Sequence, residues 1–174
     1  MKWAHYREDV GIWYKPYVKT ISGPPKKQSL PLSDAAIDLL QSLPNFETRK
    51  PDDLVFPNAE GGGLDNWQRI TKAIHRESQT TDWHRHDLRR TAATIMKLLG
   101  ISPRVIDEIL AHNSSSRDDG NSRALENYFA STNLLEHVDD PQKVALDKLA
   151  DALEHIEEAN QTSGGKWAEL GHIR

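Results

Sequence analysis

The stretch Trp83-His84-Arg85-His86-Asp87-Leu88-Arg89-Arg90-Thr91-Ala92-Ala93-Thr94-Ile95-Met96-Lys97-Leu98-Leu99-Gly100-Ile101-Ser102-Pro103-Arg104-Val105-Ile106-Asp107-Glu108-Ile109-Leu110-Ala111-His112 decides how the rest of the chain is read. Leu88, Ala92, Ile95 and Leu99 recur at helical spacing and predict an amphipathic helix with that stripe buried. Gly100 suits the left-handed residue that ends a helix. Ser102 then offers a hydroxyl cap, and Pro103 the fixed φ of a first helical position. They open a second helix whose apolar face is Val105, Ile106, Ile109 and Leu110. His86 and Arg89, three residues apart, share one face of the first helix. The second helix delivers His112 at its far end, and Tyr128 is the one tyrosine after it. Two imidazoles and a guanidinium on one helix pair, with a phenol downstream, suit phosphate chemistry.

A tyrosine that attacks a phosphodiester needs such company. With a pKa near 10, only about one phenol in a thousand is ionised at pH 7, a deficit of roughly 4 kcal/mol. Positive neighbours reduce that cost, or a base takes the proton during attack. The planar fork of an arginine binds two nonbridging oxygens and stabilises the charge that builds at phosphorus. The departing 5′ oxygen needs a proton, which a lysine can supply.

The motif H-D-L-R-R-T-A-A-T, then G-I-S-P-x-V-I-x-x-I-L-A-H, then a single later tyrosine, closely resembles the tyrosine recombinases of the phage-integrase type. The resemblance runs from about Trp3 to Ala159. It implies an α+β, mainly helical fold, with a small antiparallel sheet and a β-hairpin packed on a helical bundle. It also implies site-specific cutting and rejoining of double-stranded DNA through a 3′-phosphotyrosyl bond, with no metal and no cofactor. By this resemblance Tyr128 is the nucleophile, Arg89 the phosphate clamp, and His86 and His112 handle protons and hydrogen bonds around the phosphate. Lys19, in Lys-Thr ahead of a turn, is the first choice for the catalytic lysine, with Lys26 and Lys27 beyond the turn as alternatives. Lys26, Lys27, Arg85 and Arg90 are expected to touch DNA. Relatives assemble as tetramers on DNA, so a homo-oligomer is expected.

The sequence departs from the family pattern at its front. The family carries a further arginine, in a G-x-R-x-x-E type segment ahead of the strand that here begins Lys2-Trp3, and the chain starts after that point. The expectation is a truncated catalytic domain over 1–160, without the preceding DNA-clamping domain, weak or inactive alone, and a flexible tail over 161–174. Either a fragment of a longer integrase or a decayed remnant fits.

Away from the central stretch, Met1 to Leu32 reads as strands. Gly11-Ile12-Trp13-Tyr14 and Tyr17-Val18-Lys19-Thr20 are separated by a proline, and a turn at Ser22 to Pro25 leads to Gln28 to Leu32. Ser33 is set to cap a helix that ends before Pro44. Asp65 is set to cap another, with Trp67, Ile70 and Ile74 as its core face. Glu60-Gly61-Gly62-Gly63 lacks the Gly-Lys-Ser/Thr of a nucleotide loop. Asn113 to Gly120 reads as a loop, Asn121 as the cap of a helix carrying Tyr128, and Asp140-Pro141 as the start of a last helix bearing Ala145, Leu149, Ala152 or Leu153, and Ile156.

The 174 residues suffice for one domain with a sizeable core. There is no cysteine, which excludes disulfides and thiolate metal sites. No signal-peptide pattern or membrane-length apolar run occurs, so a cytoplasmic protein is expected. The net charge of −4 argues against a nucleic-acid binder until its distribution is considered. Nine acidic and four basic residues lie in 133–174, whereas Lys15, Lys19, Lys26 and Lys27 share one short span, and Arg85, Arg89 and Arg90 another. Local neutralisation of phosphates, not whole-chain charge, governs affinity for DNA.

Two other functions fit parts of the chain. Helix, Gly turn, helix over Thr91 to His112 suits a helix-turn-helix DNA-binding module, although Asp107 and Glu108 make a poor base-reading surface. A metal hydrolase would use His84, His86 and His112, but no carboxylate or thiolate stands at ligand spacing.

Overall fold

The computed structural model describes residues 1–18, 26–111 and 139–162, with the backbone alone given at Lys26. About half of the described chain is helical, and three short strands form an antiparallel sheet in the order β1 (Tyr6–Arg7), β2 (Ile12–Val18), β3 (Lys26–Pro31). Among the described residues five helices follow: α1 (Asp34–Gln41), α2 (Trp67–Ser78), α3 (Arg85–Leu98), α4 (Pro103–Ile109) and α5 (Pro141–Thr162).

The N-terminal stretch is less extended than its composition suggests. Trp3–His5 and Glu8–Val10 are 3-10 turns flanking the two-residue β1, and Gly11 at φ 62° swings the chain into β2. Pro16 does not split β2. Its missing N–H falls where the pairing with β3 shifts register, between Lys15 and Val18, a place where a proline costs the ladder little.

The helix signals around Gly100 act as the sequence indicates. Gly100 adopts φ 77°. Its N–H bonds the Lys97 carbonyl at 3.1 Å and that of Ile101 bonds Met96 at 3.0 Å, the paired closure of a Schellman end. The Ser102 hydroxyl accepts from Val105 N–H at 3.4 Å, with Pro103 at the first position of α4. Ser33 caps α1 through Ala36 N–H at 3.3 Å, and Asp140 opens α5 by accepting from Gln142 N–H at 2.8 Å. For α2 the cap is Asn66, not Asp65: its Oδ1 accepts from Arg69 N–H at 3.1 Å.

Two apolar clusters hold the chain. The larger joins Leu30 of β3, Met96 of α3, Ile106, Ile109 and Leu110 of the α4 region, and Ala145 and Leu149 of α5. Helix α5 is its spine, touching α1, α3, α4 and β3. The smaller gathers Trp3, Tyr6, Leu40, Phe46 and Val55, with the Trp3 and Phe46 rings edge-on at 5.7 Å. Phe46 therefore anchors the segment that follows α1.

Three expected core faces are corrected. On α3 only the middle of the expected stripe meets the core: Ala92 and Ile95 pack there, joined by Ala93 and Met96, whereas Leu88 is 57% and Leu99 38% exposed. The cause is that α3 packs through its C-terminal half against α4 and α5, leaving its first turns proud. Helix α2 buries no residue, and Trp67 and Ile74 stay exposed. It is tied down by His75, whose ring meets Trp83 edge-on at 4.6 Å and whose Nε2 bonds the Trp83 carbonyl at 3.1 Å. The last helix buries Ala145 and Leu149 but not Leu153 or Ile156, and it continues to Thr162. Among the described residues no helix is long and apolar enough to cross a membrane.

Candidate functional site

The hairpin β2–β3 lies beside the C-terminal end of α4, and a cleft of about 540 Å³ opens between them. Strand alternation puts Trp13 and Lys15 on one face of β2, and both line the cleft, followed by Pro16, Tyr17 and Val18 where the register shifts. Arg89 reaches in from α3, and Gln28, Leu110, Ala111 and His5 complete the wall. Among the described residues His5, Lys15 and Arg89 line the cleft and no carboxylate does. Its titratable lining is therefore basic although the chain as a whole is acidic.

The end of α4 organises this charge. A helix leaves its last carbonyls without intrahelical partners, and they carry the negative end of the helix dipole. Arg89 donates from its guanidinium to the Leu110 carbonyl. Gln28 donates from Nε2 to the carbonyls of Glu108, at 2.7 Å, and Ile109, at 3.2 Å. Its Oε1 accepts from Lys15 Nζ at 3.0 Å, across the register pair Lys15–Gln28. The Lys15 ammonium also stands 4.4 Å from the centre of the Trp13 ring. Burial, and then the positive charge of Arg89, lower the pKa of Lys15 below its ordinary value of 10.5.

The other arginines of α3 are engaged elsewhere. Arg85 stacks over the Trp67 ring at 4.3 Å, and Arg90 stands 3.6 Å from Asp87 in an exposed pair. Asp87 itself caps α3, accepting from His84 N–H at 2.9 Å. His86 lies on the exposed first turn of α3 and does not line the cleft with Arg89. Lys27 is exposed on β3. Lys19, His112 and Tyr128, the side chain of Lys26, and the loop and helix expected over 113–128 lie outside the described residues, as does most of the expected tail. Among the described residues no cluster of three metal-ligating side chains occurs. The Gly61 to Gly63 loop is closed on itself by Asn58, whose Oδ1 accepts from Gly62 N–H at 2.7 Å.

A family comparison gives this geometry its setting. The model of the phage integrase family matches residues 10–117, more than half of the chain, and spans β2, β3, Arg89 and α4.

The chain belongs to the phage integrase family.

No curated protein matches it, and no solved structure does. Membership places the chain among DNA recombinases and integrases, which act on DNA in site-specific recombination. Within this integrase domain, Lys15, Gln28 and His5 are the cleft residues that motif reading passes over. Lys15 counts there only as one of a group of lysines. The alternation of Trp13 and Lys15 was the available sign, but it gains meaning only once β2 is seen against α4. A second exposed groove, on α2, is lined by Asn66, Gln68, Arg69, Lys72, Ala73 and Arg76. Three cations spaced three and four apart there share one helix face.

Proposed function

We propose that the chain cuts and rejoins double-stranded DNA at a specific site, without metal, by transferring the strand to Tyr128. The observation that carries this reading is Arg89: the arginine of the His-x-x-Arg motif enters a cleft whose described lining is cationic and free of carboxylates. Such a pocket suits one backbone phosphate. The guanidinium binds the nonbridging oxygens and stabilises the pentacoordinate transition state. The Tyr128 oxygen attacks phosphorus and the bond to the 5′ oxygen breaks. A 3′-phosphotyrosyl link remains, and the freed 5′ hydroxyl of a strand reverses the step. Lys19 protonates the leaving oxygen, with Lys26 and Lys27 the alternatives. His112 steadies the phosphate and passes protons, and His86, which does not line the cleft in this structure, joins it once DNA is bound. Lys26, Lys27, Arg85 and Arg90 contact the flanking backbone, and the active assembly on DNA is a tetramer. With DNA as substrate, its place of work is the cytoplasm of a bacterial or phage-infected cell.

The test is a nicked suicide duplex incubated with the chain in chelator, long enough to reveal slow turnover. Covalent protein–DNA adducts are expected, reduced on the order of 100-fold or more in Arg89→Ala, the scale of losing one transition-state donor. Duplex binding with no adduct would instead assign a non-catalytic DNA-binding module. Cleavage that the chelator abolishes would assign a metal-dependent hydrolase.

A further inference from the structure

We propose that Lys15 is a second cationic contact for the phosphate group held by Arg89, and that Gln28 is the positioning residue that aims it. The inference rests on the reading of this cleft as the phosphate site, and it adds two residues that the motif does not contain. Three observations converge on it. Lys15 and Arg89 line the same cleft, and no carboxylate among the described residues lines it or pairs with either of them. Both side chains are fastened to one structural feature, the last carbonyls of α4: Arg89 directly at Leu110, and Lys15 through Gln28 at Glu108 and Ile109. Lys15 also rests on the Trp13 ring, which limits where its ammonium can swing.

Two like charges held in a half-buried cleft repel each other, and partial loss of water makes that repulsion stronger. An anion placed between them offsets the repulsion and accepts hydrogen bonds from both. The lysine uses one of its three donors on Gln28, leaving donors for nonbridging oxygens. The Gln28 amide is suited to its task because it donates and accepts at once. Its N–H bonds fix it to α4, and its oxygen then faces the ammonium across the hairpin. The contact described is one of binding, separate from the proton delivery assigned to Lys19.

Two measurements test the proposal. In the first, binding of a short duplex is followed against salt for the chain, Lys15→Gln and Lys15→Arg. Each neutralised phosphate contributes about 0.9 to the slope of log K against log salt. Lys15→Gln is expected to flatten the slope by about that amount, and Lys15→Arg to restore it. An unchanged slope in a Lys15→Gln protein that melts like the parent overturns the role of Lys15. If the parent chain does not bind duplex at all, the DNA reading fails, and the second measurement decides the proposal alone.

That second measurement uses the unsubstituted chain with isotope-labelled lysines and inorganic phosphate as the ligand. Phosphate is expected to raise the titration midpoint of Lys15 in the NMR spectrum, and the rise is expected to shrink in Gln28→Leu. A midpoint unmoved by phosphate overturns the contact. A rise of the same size in Gln28→Leu overturns the positioning role.

Discussion

At the scale of single residues, the site turns on which cations enter the cleft. Arg89, Arg85 and Arg90 stand close together in the sequence, yet each meets a different partner: the Leu110 carbonyl, the Trp67 ring and the Asp87 carboxylate. The three are therefore not equivalent. Arg89→Lys keeps the charge but loses the planar fork, and the rate of adduct formation is expected to fall on the order of 100-fold. Arg90→Lys should leave the rate within about twofold, because exposed pairs such as Arg90–Asp87 contribute little. Single-turnover assays of the two variants side by side check this. Lys15 carries a pH signature. Its folded pKa lies below 10.5, so the folded protein binds that proton less tightly than the unfolded chain. The resulting penalty is present in full at neutral pH and is relieved as pH rises through the folded value toward 10.5. The stability of Lys15→Met relative to the parent should therefore decline over that alkaline range, as denaturant melts at successive pH values would show. The spacing of His86 and Arg89 was legible because it is a local property of a helix, but only Arg89 lines the cleft. Lys15 was not legible, because its importance comes from β2 meeting the end of α4, thirteen residues of hairpin and a whole helix pair away from any local pattern.

At the scale of elements, the turn from α3 to α4 sets the site. Arg89 belongs to α3 and its carbonyl partner to the end of α4, so the angle between the helices fixes the guanidinium. Gly100 and Ser102 control that angle. The space beside Gly100 is open, so Gly100→Ala meets no clash and costs only the left-handed backbone, about 1 kcal/mol. Ser102→Ala removes a cap worth about 1 kcal/mol. Each is expected to lower the melting temperature by roughly 2–4 °C, the response of a chain of this size to such a loss. Both elements were legible in the sequence because a left-handed glycine and a hydroxyl cap act over one turn of chain. The burial of α2 was not. Trp67, Ile70 and Ile74 have core spacing, but spacing does not say whether a partner surface faces them, and here Arg85 stacks on Trp67 while Ile74 stays exposed. On α3 the period and the middle of the stripe, Ala92 and Ile95, were right, but its ends Leu88 and Leu99 stay exposed and Met96 is the residue fully buried against α4 and α5.

For the whole molecule, the two clusters divide the work. The cluster around Met96 packs α5 under β3, α3 and α4, which give the cleft Gln28, Arg89 and Leu110, whereas that around Val55 fixes the N-terminal turns, which add Met1 and His5 to the cleft, to α1 and the segment after it. Met96 and Val55 are each 1% exposed. Met96→Ala is expected to cost about 3 kcal/mol and to loosen the cleft as well, seen as lost phosphate response at Lys15 in the folded protein. Val55→Ala should destabilise while leaving that response intact. Equal loss of response in both would mean that the clusters act as one unit.

The central claim is that the phosphate held by Arg89 is attacked by Tyr128. Tyr17 makes the sharpest control, because it lines the same cleft and is 81% exposed. Peptide mapping by mass spectrometry of the adduct trapped on a suicide duplex distinguishes the two phenols. The account predicts the nucleotide on Tyr128. A nucleotide on Tyr17, or on any side chain other than Tyr128, would contradict it.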